Sequence, residues 1–81
     1  MPYVVVDVEK TSKHLKEVFK EKGFTARAVA EELHLESVQT VYAWLSATKK
    51  TLPSLDNLVM LSELLKVTLD ELIVRRSIEE E

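Results

Sequence analysis

Gln39 is the side chain of this 81-residue chain whose chemistry is easiest to assign. Its amide sets a donor beside an acceptor, the pair that meets N6 and N7 of adenine in a bidentate way. It stands near the start of SVQTVYAWL, where Ser37 can cap a helix and Val38, Val41 and Leu45, flanked by Tyr42 and Trp44, form an apolar face. The other side of that helix offers Gln39, Thr40 and Ala43 with Tyr42, and no acidic residue. Such a side faces either solvent or a groove. Trp44 and Tyr42 read first as packing residues under the loop that follows, since base stacking belongs to single-strand binders. Lys49 and Lys50 in that loop serve either solubility or phosphate contact. His14 and His34 stand twenty residues apart without neighbouring ligands, so neither a metal site nor a catalytic role is expected. With no nucleophile and base pair, no Gly-rich phosphate loop and no carboxylate pair at useful spacing, the chain is not expected to be an enzyme.

The elements that position these residues are legible as helices. Thr25 suits an N-cap, and Ala28, Val29, Ala30 and Leu33 then fall on one helical face until the helix formers stop at His34. The region 25–45 is therefore two helices of about two turns each around a tight corner, too short to be stable unless each leans on the other and on a third element. Small Ala30 permits a close crossing. Upstream, Asp7 is expected to cap a helix running to Lys22, with Val8, Leu15, Val18 and Phe19 inward and Gly23, the single glycine, ending it in the left-handed conformation. Lys13, Lys16 and Lys20 line an outer stripe of that helix. Mixed with Glu17 and Glu21, they read as a solvated face ahead of a phosphate-contacting one. Downstream, SATKKTLP forms a loop closed by Pro53. Ser54 caps a helix carrying Leu55, Leu58, Leu61, Leu64 and Leu65, and Thr68 with Glu71 makes a capping box for a short helix through Ile73. The expected fold class is all-α: a compact five-helix domain over residues 8–74, with an extended N-terminal segment over 1–7 and a frayed, charged tail, RRSIEEE, over 75–81. Pro2 marks an edge, and the β-prone Tyr3 to Val6 cannot form a sheet alone. That segment is expected to lie on the core or to pair with its counterpart in a second copy, ahead of being disordered.

From about Leu15 to Ile73 the chain resembles the lambda-repressor-like helix-turn-helix family of Cro/cI or XRE type, mostly bacterial and phage transcriptional regulators. The segments that carry the resemblance are GFTARAVAEELHL, SVQTVYAW and LPSLDNLVMLSELLKVTLDEL, in order and at nearly the right spacing. It implies a sequence-specific regulator that binds double-stranded DNA as a homodimer, reading two half-sites with the helix at about 37–45 in the major groove. The DNA-contacting residues it implies are Thr25, Arg27, Ser37, Val38, Gln39, Thr40, Tyr42, Ala43, Lys49 and Lys50. Thr25 and Arg27 begin the first helix of the pair beside the phosphates, while Lys49 and Lys50 replace an arginine that relatives carry just after the reading helix. Relatives also commonly have glycine where this chain has His34. Its turn is then either made by a residue under left-handed strain or shaped differently around Glu36. The alternative is a protein–protein interaction module, of phage or antitoxin type, that keeps the fold with weak or no DNA binding.

Composition agrees with one small domain that buries a modest core. There is no Cys, so neither a disulfide framework nor a Cys-based metal site is possible, and a cytoplasmic location is expected. No apolar run approaches the roughly 18 residues of a membrane span, and YVVV is too short for a signal peptide. No cofactor, small-molecule ligand or membrane partner is evident. The net charge of −3 sits unevenly: residues 1–24 carry five Lys/Arg and four Asp/Glu, residues 25–53 three and three, and residues 54–81 three and seven. Phosphate attraction is local, within a Debye length of roughly 8 Å, so acid at the far end need not repel DNA from residues 25–53.

Overall fold

The computed structural model describes residues 3–78. Strand β1 (Tyr3–Val6) leads into helices α1 (Val8–Lys22), α2 (Ala26–Glu32), α3 (Val38–Leu45), α4 (Leu55–Leu65) and α5 (Leu69–Leu72), and the described chain closes with strand β2 (Arg75–Ile78). Pro2, read as an edge, and residues 79–81 of the expected tail lie outside the described residues.

Each helix begins on the residue its sequence offers as a cap. The side chains of Asp7, Thr25, Ser37, Ser54 and Thr68 accept from the backbone N–H of Lys10, Ala28, Gln39, Asn57 and Glu71 respectively. At α5 the capping box is complete, because the Glu71 carboxylate accepts from the Thr68 N–H at 3.0 Å. That bond, the Thr68 hydroxyl and nearby Lys22 hold the exposed Glu71 carboxyl below its ordinary range.

Three helices end on a left-handed residue. Gly23 (φ 79) closes α1, with its N–H bonded to Lys20 and that of Phe24 to Phe19. His34 (φ 56) closes α2 in the same pattern, with its N–H on Glu31 and that of Leu35 on Ala30. Lys66 (φ 61) closes α4, followed by the bond from Val67 to Ser62. These paired bonds satisfy carbonyls that a helix end leaves open. Of the two shapes allowed for the corner, the chain takes the left-handed one at His34.

The core gathers one face of every helix: Leu15, Val18 and Phe19 of α1, Val29 and Ala30 of α2, Val41 and Trp44 of α3, Leu58, Leu61 and Leu65 of α4, and Leu72 of α5. Helix α1 packs against α3, α4 and α5, and α2 packs against α3. One inward assignment falls short, since Val8 at the start of α1 is only half-buried. Leu55, at the first position of α4 and beyond the edge of the core, is 78 % exposed. Conversely, Thr11 and Ser12 are buried among the apolar residues.

The fold is mostly helical but not all-α. Strands β1 and β2 pair antiparallel, with Tyr3 opposite Ile78, Val4 opposite Ser77, Val5 opposite Arg76 and Val6 opposite Arg75. Residues 75–78 are thus a strand and no frayed tail, and the partner of Tyr3–Val6 comes from the same chain. The cause is a clamp just before β2. Val74 gives its N–H to Thr11 Oγ1 at 3.0 Å, while its carbonyl accepts from the Thr11 hydroxyl at 3.2 Å and from the Asp7 N–H at 2.8 Å. Held there, the residues after Val74 run alongside those before Asp7, and pairing satisfies backbone groups that a polar side-chain sequence does not advertise.

Two outcomes follow from these bonds. Thr11→Val keeps the shape but leaves the Val74 N–H unpaired, and should cost roughly 1–3 kcal/mol in urea unfolding, with loss of strand signal before helix signal; an unchanged midpoint would show that the clamp contributes nothing. At the corner, His34→Gly should match or exceed the wild type in stability, while His34→Val should lose about 1 kcal/mol or more, because a β-branched residue resists positive φ. Equal midpoints for the glycine and valine variants would rule out a left-handed residue at this position.

Candidate nucleic-acid interface

Helix α3 is fixed from beneath. Val41 and Trp44 are 0 % and 2 % exposed, with Val38 and Leu45 packed against the same core, so the helix has one settled inner face. Its period then dictates the outer one. Gln39 and Thr40 are exposed, Ala43 is half-buried as a small residue between them and the loop, and Tyr42 is 54 % exposed on the flank. This side holds two amide or hydroxyl side chains, a methyl and a phenol, with no carboxylate on the helix. It is the composition of a surface that can meet base edges by hydrogen bonding and by apolar contact.

The remaining candidate residues separate into free and engaged groups. Arg27 in the first turn of α2, and Lys49 and Lys50 in the loop after α3, are exposed cations. Thr25 and Ser37 are exposed too, but each hydroxyl oxygen is occupied as a helix cap, accepting at 3.1 Å from Ala28 and at 3.0 Å from Gln39. Their hydroxyl protons stay available to a phosphate. Val38 is half-buried, and its packing against the core limits what it can offer outward. Lys50 has φ 53, and the Thr51 hydroxyl donates to the Lys49 carbonyl at 3.2 Å, so the two lysines sit on a tightly turned loop.

Tyr42 and Trp44 part company. Trp44 is the packing residue it was read as, whereas Tyr42 is not covered by the loop, because its place on the helix turns it toward α1. There it lines a surface cleft with Lys13, Lys16, Leu45, Ser46 and Ala47. Sequence reasoning found the lysine stripe but gave it no tie to α3, since i, i+3 spacing says which residues share a face and not which helix that face meets. His14, on another part of α1, has Nε2 within hydrogen-bond reach of the Glu71 carbonyl, joining α1 to α5. Among the described residues no group of three or more His, Cys, Asp and Glu is placed to hold a metal ion, and no helix is long and apolar enough to cross a membrane.

Comparison with known proteins agrees with this geometry. A family model described as helix-turn-helix matches residues 15–72, which include all five helices apart from the first turns of α1. Neither the curated proteins nor the solved structures searched gave a match. The match spans most of the chain and carries the α2–corner–α3 unit in its middle, and on that basis the chain belongs to the XRE-type, lambda-repressor-like helix-turn-helix family of DNA-binding transcription regulators.

Proposed function

We propose that this chain is a sequence-specific regulator that binds double-stranded DNA as a homodimer, with α3 in the major groove. The observation that carries the reading is the outer side of α3, where Gln39, Thr40, Ala43 and Tyr42 stand free of carboxylates on a helix whose other side is locked into the core. A helix fits the major groove, and a fixed helix holds its side chains in one register against the base edges. Gln39 is the base reader, through a bidentate contact to adenine. Thr40 and Ala43 add hydrogen-bonding and methyl contacts beside it. Arg27, Lys49 and Lys50, with the cap hydroxyls of Thr25 and Ser37, contact phosphates and set the register. If Gln39 reads a base, Gln39→Ala should weaken binding to the preferred site by about 1–3 kcal/mol per half-site and relax selection at one base position in each. Selection from random duplex DNA at low salt measures both. An identical motif from the variant removes Gln39 from the reading, and no enriched motif from the wild type favours a protein-interaction module instead.

One copy makes few contacts, and pairing is how such domains span two half-sites about one helical turn apart. The free edge of β1 is the element we assign to pairing. Tyr3, Val4, Val5 and Val6 carry no charge, and Tyr3, Val4 and Val6 are exposed beside the strand that β2 already occupies. Charge is a common protection of an edge, and β2 has Arg75 and Arg76 where Tyr3–Val6 has no charged residue. Two β1 edges meeting antiparallel bring no like charges together, whereas two β2 edges do. Val4→Lys with Val6→Lys should therefore shift a dimer to monomer in analytical ultracentrifugation while helicity stays constant. A dimer that survives moves the interface to the exposed Leu55, Val59 and Met60 of α4.

A further inference from the structure

The cleft between α1 and the end of α3 has a volume of about 530 Å³ and is lined by Lys13, Lys16, Tyr42, Leu45, Ser46 and Ala47. Its chemistry is specific. Two lysines three residues apart on one face of α1 share the cleft with a phenol, a hydroxyl, a leucine and an alanine from the end of α3 and the residues after it. No carboxylate lines it. Three other clefts among the described residues each include carboxylates: Glu21, Asp70 and Glu71 in one, Glu63 and Glu71 in another, Glu32 and Glu63 in the third. Cations and hydroxyl donors beside apolar side chains match a sugar–phosphate strand, which presents anionic oxygens next to the apolar face of each deoxyribose. The Ser46 and Thr48 hydroxyls lie 3.0 Å apart, so with Thr48 as donor the Ser46 proton is free for a ligand.

Position selects the ligand. Tyr42 belongs both to this cleft and to the exposed side of α3, so the cleft opens on the flank of the proposed reading surface. The major groove is about 12 Å wide and is bounded by a phosphate strand on each side, so a helix lying in it has one strand along either flank. We propose that Lys13 and Lys16, with the hydroxyls of Tyr42 and Ser46, hold the DNA strand that runs along the α1 side of α3. This deepens the DNA-binding reading and rests on it. It also answers the charge difficulty. Residues 25–53 carry three basic and three acidic side chains, and the two lysines contributed by α1 make the interface positive.

The test compares two double variants of equal charge on a duplex carrying the selected motif. Lys13→Ala with Lys16→Ala should weaken binding to all duplexes alike, leave the selected motif unchanged, and reduce the slope of log affinity against log salt by about 2 for each bound copy, hence about 4 for a dimer on two half-sites, since each phosphate contact releases about one counterion. Lys10→Ala with Lys22→Ala removes two exposed lysines of the same helix that do not line the cleft, and should leave the slope at its wild-type value. Circular dichroism checks that both variants fold. A wild-type slope for the Lys13 and Lys16 pair overturns the proposal while the DNA-binding reading stands, and equal losses in the two pairs show a general charge effect and overturn it too. Failure of the wild type to bind any duplex sinks both readings together.

Discussion

Helices α3, α4 and α5 of this small domain share α1 as a common wall, and α2 leans on it through α3. Helices of seven, eight and four residues, such as α2, α3 and α5, form too few internal hydrogen bonds to offset the cost of nucleating them in water. They persist because each contributes one or a few side chains to a core that already contains Leu15, Val18 and Phe19 of the 15-residue α1. Helix α3 is the clearest case. Its orientation comes from Val41 and Trp44, and fixing those two sends Gln39, Thr40 and Tyr42 outward by helical period alone. The outer side of α3 proposed to meet DNA is thus a by-product of core packing.

The polar bonds perform a different task, which is to decide where each element stops. Thr11 is 1 % exposed and sits among apolar neighbours, yet its hydroxyl is satisfied in both directions by Val74. A buried hydroxyl without partners would destabilise the fold, whereas here it fixes the chain after α5 against the start of α1 and sets the register of the strand pair. The left-handed ends at His34 and Lys66 show the opposite balance. Each accepts backbone strain that glycine would avoid, in return for helix-end carbonyls being bonded and for Leu35 and Val67 turning back onto the core.

Much of this was legible in the sequence because it is local. Caps at Asp7, Thr25, Ser37, Ser54 and Thr68, the stop at Gly23 and the apolar spacing in each helix depend on residues within one turn of each other. What the sequence hid is non-local. Arg75–Ile78 has one apolar residue in four and reads as a tail, and only the clamp between Thr11 and Val74, 63 residues apart, makes it a strand. Leu55 shares the leucine spacing of α4 but is exposed, because the helix has barely begun at that point and the core lies further along it. At the interface, the side of α3 carrying Gln39 followed from periodicity. The meeting of Tyr42 with Lys13 and Lys16 did not, since no spacing along the chain says that α1 and the end of α3 share a cleft.

Folding also sorts the charge that composition merely totals. Around α1, the side toward α3 presents Lys13 and Lys16, while the side toward α5 presents His14 and Glu21 in a cleft with Lys22, Asp70, Glu71 and Arg75. In that second cleft the ions are largely answered locally. Arg75 bonds Asp70, and the Thr68 N–H and hydroxyl with nearby Lys22 stabilise the Glu71 carboxylate. Carboxylates paired in this way project less field than free ones. Over a domain about 45 Å long, with a screening length of roughly 8 Å, those on α4 and α5 act mainly on their own surroundings. A net charge of −3 is therefore compatible with a surface that attracts phosphate, provided the helix that serves as the common wall carries its lysines on the side that faces α3.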